Sequence, residues 1–171
     1  MTTYVALLRA VNVGGNGKLP MAELVTICTG CGFHDVRTSI ASGNAVFRAD
    51  LAEAKVKLAL EAALYAHAGK YVGVIVRTAA AIAEVLTANP FADAPGNRAV
   101  AIFLDAPPPA DTLAGVTGQG SEQLALGHRE IYVRYDDGMA DSKLKIPAAN
   151  AGTGRNLNTI TKLAQMAASQ C

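Results

Sequence analysis

The sequence predicts an α+β protein, with a ferredoxin-like βαββαβ part at residues 1–77 followed by a smaller α+β part at residues 78–171. Three observations carry this. Short apolar runs alternate with longer segments of helical periodicity, in the order strand, helix, strand, strand, helix, strand. Glycine and asparagine punctuate the joins. The chain is 171 residues long and 51% apolar, enough to bury a core without disulfides or metal.

Each element has its own signal. Residues 4–9, YVALLR, form an apolar first strand, and the glycines of VNVGGNGKLP make the following loop. Pro20 suits the first turn of a helix, where a missing N–H costs nothing. Met21, Leu24, Val25 and Cys28 then fall on one helical face, and Gly30 and Gly32 stop it. Residues 36–40 and 45–48 read as two strands joined by the hairpin chemistry of Ser42-Gly43-Asn44. Asp50 and Glu53 resemble a capping box for an Ala/Leu helix that Gly69 ends, and residues 72–77 form the fourth strand.

The second part is less regular. A helix over residues 79–88 stops before Asn89-Pro90. Residues 99–104 form a strand, and Pro107-Pro108-Pro109 a stiff connection. Residues 123–126 and 130–135 pair around Gly127-His128. Residues 136–156 read as loop with room for a short helix, and Ile160, Leu163, Ala164 and Ala167 mark the face of a final helix.

Net charge is +1, divided as eight Lys/Arg against five Asp/Glu over residues 1–77 and seven against nine over residues 78–171. That balance does not predict nonspecific nucleic-acid binding. No apolar run approaches the roughly 20 residues that span a bilayer, so no membrane partner is expected. The N-terminal MTTYVALLRAV has no basic flank and no small-residue cleavage site, so a cytoplasmic protein with reduced thiols is expected.

Ferredoxin-like topology brings the ends of strands one and two to the same sheet edge. The GGNGK loop, the Ser42-Gly43-Asn44 turn and the connection into strand four converge there. That edge gathers Arg9, Asn12, Gly14, Gly15, Lys18, Ser42, Gly43 and Asn44, with no Asp or Glu in its loops. Glycine-rich backbone and the start of a helix favour an anion. The plain alternative is a tight strand-to-helix turn. Leu19 stands where a Walker A motif needs Ser or Thr, and the spacing is not G-x-G-x-x-G. Thr153-Gly154-Arg155-Asn156 precedes the last helix, which Asn156 or Asn158 caps. A cation beside a helix N-terminus makes Arg155 a second anion-binding candidate, or else a surface arginine beside an ordinary cap. Arg155 and Lys18 are expected to be exposed, with alanine substitutions changing stability by no more than about 0.5 kcal/mol.

YVALLRAVNVGGNGKLPMAEL, GFHDVRTSIASGNAVF, IVRTA with NPF, IYVRY and TGRNLNTITKLA occur in an order that resembles the bacterial domain-of-unknown-function family 1697. The resemblance covers nearly the whole chain. It implies a ferredoxin-like part joined to a second α+β part, and it brings no established activity. The family's Leu-Arg-Gly/Ala-Ile/Val-Asn-Val-Gly-Gly signature falls on residues 8–15, and Ser-Gly-Asn on Ser42, Gly43 and Asn44. In the late signature Leu157 replaces the tryptophan.

Other chemistry is poorly represented. Cys28-Thr29-Gly30-Cys31 lies at the end of its helix, the wrong pole for an activated thiol. His34, His67 and His128 lack metal-ligand spacing, and no cofactor is implied. The residues thus point to binding of a small anionic ligand, phosphorylated or nucleotide-like. Catalysis on such a ligand and a nucleic-acid accessory role are the alternatives. The only aromatics on the central strands, Tyr4 and Phe47, depart from the base-stacking pattern of RNA-binding sheets.

Overall fold

The computed structural model describes residues 1–9, 19–39 and 43–170. Contacts divide the chain into two compact units, Met1–Ile82 with Leu163–Cys171, and Ala83–Lys162.

The first unit contains β1 (Thr2–Leu8), α1 (Met21–Gly30), β2 (His34–Thr38), β3 (Asn44–Ala49), α2 (Glu53–Ala68) and β4 (Val74–Thr78). Its sheet order is β2-β3-β1-β4, with every neighbouring pair antiparallel. β1 and β2 therefore run parallel with β3 between them, the ferredoxin-like order the sequence predicts. Alternation along the strands puts Tyr4, Ala6, Leu8, Phe47 and Val76 on one face, against Leu24 and Cys28 of α1 and Val56, Leu60 and Leu64 of α2. Burying each large apolar side chain of this set stabilises the unit by about 1.5–3 kcal/mol. Phe33 stacks on Phe47 with ring centroids 4.3 Å apart. Val5, Leu7, Val46 and Ile75, on the opposite face, are buried too. A strand buried on both faces reads as an unbroken apolar run, which is why YVALL shows no polar alternation.

Three local expectations change. Met21 does not join the buried face of α1, being 37% exposed. The Asp50–Glu53 capping box does not form: the N-cap of α2 is Ala52, with no side-chain cap. Glu53 then falls in the first turn, where its charge complements the helix dipole, and Asp50 lies 3.9 Å from the N-terminal ammonium. β2 begins earlier than its apolar residues suggest, with a register shift between His34 and Arg37 and Asp35 at φ 53°.

The end of the last helix groups with this unit through hydrogen bonds to β2. Arg37 Nη2 donates to the Met166 carbonyl at 2.7 Å, and Gln170 Nε2 to that of Asp35 at 2.9 Å.

The second unit contains β5 (Ala99–Phe103), β6 (Gln123–Leu126), β7 (Glu130–Arg134) and β8 (Thr153–Asn156) in the antiparallel order β6-β7-β5-β8. Single-turn 3-10 segments occupy Thr112–Gly115 and Pro147–Ala151. The helices α3 (Ala79–Ala88) and α4 (Leu157–Ala168) each run from one unit into the other. β8 corrects the reading of residues 136–156 at its last four positions, the rest being loop with the short helical turn at Pro147–Ala151. TGRN has no apolar alternation, and it becomes a strand because its backbone completes the exposed edge of β5.

Two glycines separate two kinds of constraint. Gly69 ends α2 at φ 73° with open space around it, whereas Gly118, at φ 70°, would place a Cβ 2.0 Å from the Lys143 carbonyl oxygen. Gly69→Ala is expected to cost about 1 kcal/mol for left-handed backbone alone. Gly118→Ala adds a backbone clash and is expected to cost about 2 kcal/mol or more. Urea denaturation of the two variants compares them directly.

Candidate functional site

Three connections meet where β1 leaves its sheet. The Leu8 N–H donates to the Gly43 carbonyl, and the Arg9 N–H to that of Gly73, both at 2.9 Å. The end of β1 thereby joins the turn into β3 and the connection into β4. Gly43 adopts φ 78°, a conformation that L side chains rarely take. A Cβ on Gly73 would stand 3.1 Å from Arg9 Cδ and 3.6 Å from the Tyr71 ring. The bare glycine lets the half-buried Arg9 lie against the strand beside Tyr71.

A charged network underlies the same connection. One oxygen of Glu61, Oε2, accepts from Lys57 Nζ at 2.9 Å, the Tyr71 hydroxyl at 2.9 Å and the Val74 N–H at 3.1 Å. Lys57 also donates to the Val74 carbonyl. Burial pushes the Glu61 carboxyl up, but these hydrogen bonds and the Lys57 charge outweigh it and hold it below its ordinary value. In the sequence, Lys57 and Glu61 look like an ordinary i,i+4 surface pair, and nothing there announces Tyr71.

The predicted site residues separate. Arg9 and Gly43 lie at this edge. Asn12, Gly14, Gly15, Lys18 and Ser42 fall outside the described residues. Asn44 is 1% exposed, and its Nδ2 donates to the Ser39 carbonyl at 3.0 Å, a bond that closes the connection between β2 and β3. Arg155 and Asn156 belong to the second unit. Asn156 Oδ1 accepts from the Thr159 N–H at 2.9 Å and so caps α4, as its position suggests.

Arg155 departs from expectation. It is 8% exposed, sits on β8 opposite Ala101, and donates through Nη1 to Thr153 Oγ1 at 2.6 Å and to the Gly154 carbonyl at 2.9 Å. Burial lowers its pKa to about 10, so the guanidinium stays charged at neutral pH and depends on those acceptors. Strand alternation turns the side chain inward, whereas a loop reading left it in water. Leu157, at the first position of α4, is buried as well.

Reactive thiols are not formed by the C-x-x-C. Burial, with Cys31 nearby, pushes the Cys28 thiol up to about 12, and burial raises that of Cys31. Among the described residues no group of three or more His, Cys, Asp or Glu is placed to hold a metal ion. Nor is any of their helices long and apolar enough to cross a membrane. Tyr4 and Phe47 are buried on the helix-covered face of the first sheet, so they offer no stacking surface for bases.

A family model described as a protein of unknown function, DUF1697, matches residues 1–132. Among solved structures, the chain is similar to the conserved bacterial protein SP0830 from Streptococcus pneumoniae, with a TM-score of 0.81 and 26% identity. The match covers 97% of this chain and 98% of that one. No curated protein matches.

Two outcomes follow from the charges. Arg155→Ala is expected to lower stability by about 2 kcal/mol, because it empties a buried site and orphans its acceptors; thermal denaturation reads this. Glu61 has a folded pKa below its unfolded one, so its contribution is present above the ordinary carboxyl range and is lost as pH falls through the folded value. The stability gap between wild type and Glu61→Gln is therefore expected to be largest near neutral pH and to shrink below about pH 4. Urea denaturation across that range measures it.

Proposed function

The chain belongs to the DUF1697 family, and we propose that it binds a small anion, phosphorylated or nucleotide-like, at the edge where β1 leaves its sheet. One observation carries this reading: the paired backbone bonds from Leu8 to Gly43 and from Arg9 to Gly73 gather glycine-bearing turns around an arginine. Arg9 supplies the charge, and glycine at 43 and 73 lets the ligand and the Arg9 side chain approach the backbone. Glu61 is already engaged by Lys57, Tyr71 and the Val74 N–H, so its carboxylate is satisfied within the fold. Lys18, in the loop that leaves β1, adds a second cation on sequence grounds.

Calorimetry and thermal shifts with pyrophosphate, nucleotides, sugar phosphates and dicarboxylates test the reading. Binding of one anion class is expected, weakened about tenfold or more by Arg9→Ala or Lys18→Ala. Gly73→Ala, which displaces only the flexible Arg9 stem, is expected to weaken binding with little change in melting temperature. No binding by any anion, or equal binding by wild type and Arg9→Ala, would overturn it. Turnover of a bound anion would instead make the protein an enzyme that uses these groups for electrostatic stabilisation.

A further inference from the structure

We propose that the second unit holds a binding cleft for a small amphipathic carboxylate, its apolar tail on Ile102, Leu144 and Ile146 and its carboxylate at Lys145. The cleft measures about 560 Å³, within the roughly 300–1,000 Å³ range of small-molecule sites.

Its apolar wall arises from uneven covering of one sheet. Val100 and Ile102 of β5 lie opposite Val133 and Ile131 of β7, so these residues share a face. Among the described residues no long helix contributes to the apolar cluster on that face, whose remaining members come from β6, from loops and from the 3-10 turn at Pro147–Ala151. Ile131, Val133, Leu104 and Ile146 are buried there, but Ile102, Leu124, Leu144 and Ala149 are only partly so. The space left above Ile102 is the cleft.

Polar groups stand at few positions around it. Thr117 and Lys145 exchange two backbone hydrogen bonds of 3.0 and 2.8 Å, which fix the rim where the Lys145 side chain emerges. Gly118 packs directly against the Lys143 carbonyl and keeps these two segments together. Lys145 makes no ion pair among the described residues. Tyr135 lines the cleft from the end of β7. Burial, with the charge of Glu122, pushes its phenol up. An apolar wall with one ammonium at its rim complements a carboxylate that carries a hydrocarbon tail. The rim is held by backbone bonds, so little ordering is needed on binding.

Glu122 argues for the opposite sign. It is 7% exposed in the adjoining pocket, where it accepts from the Gly120 N–H and the Ser142 hydroxyl. A cationic amphiphile is therefore the control. Calorimetry of the full chain with octanoate, octylamine and octanol separates the cases. Octanoate is expected to bind, with affinity reduced about tenfold by Lys145→Gln and no change in melting temperature. Ala149→Trp, which fills the cleft, is expected to abolish binding, and circular dichroism checks that it folds. If it does not fold, Lys145→Gln decides alone. Absence of octanoate binding, equal binding by wild type and Lys145→Gln, or tighter binding of octylamine would overturn the proposal. Pyrophosphate binding by Lys145→Gln is expected to match wild type, which keeps this test separate from that of the β1 edge.

Discussion

The backbone of β1 is hydrogen-bonded on both sides, to β3 and to β4, while its residues 3–8 are buried. A strand in that position has no spare donor or acceptor and no exposed face. Every side chain it carries must be apolar or hydrogen-bonded, and Tyr4, whose hydroxyl reaches the Leu51 carbonyl at 2.6 Å, obeys the same rule. The first charged side chain along the chain is Arg9, at the strand's exit. The constraint that builds the core of the first unit therefore also places its candidate site, because a polar group becomes tolerable only where the sheet ends.

Charges elsewhere follow the cost of desolvation. Glu61 is held between a lysine, a tyrosine and a backbone N–H, so its burial is more than compensated. Arg155 is buried beside the Thr153 hydroxyl and the Gly154 carbonyl, to which it donates, and burial lowers its pKa. In sequence both groups look like ordinary surface charges, Glu61 in an i,i+4 pair with Lys57 and Arg155 beside a helix cap. One supports a strand entry through an ion pair, and the other is part of an edge strand's packing.

The second unit spends its apolar residues unevenly. On one face of its sheet, Tyr132 reaches α3 through a hydrogen bond to the Val85 carbonyl at 2.9 Å. The other face carries the partly buried cluster around Ile102 and Ile146. Short turns cover less surface than helices do, and the remaining space is where the cleft forms.

The sequence by itself determined the α+β class, the order of the first unit's strands and helices, the hairpin of β6 and β7 and the cap on α4. In each case a local rule agrees with the final environment: apolar periodicity in β1 and α2, left-handed glycine at Gly69, an asparagine at an N-cap. The convergence of the β1 exit with the turn at Gly43 and the connection into β4 was also legible, since it follows from strand order, although Gly73 itself reads in the sequence as part of the strand. Only the tertiary structure decided that TGRN is a strand, that Arg155 and Asn44 are buried, that Glu61 gathers three donors, and that one face of the second sheet is incompletely covered. Edge pairing runs through backbone groups that every residue shares, and the burial of a polar side chain depends on partners distant in sequence, so neither leaves a periodic trace along the chain.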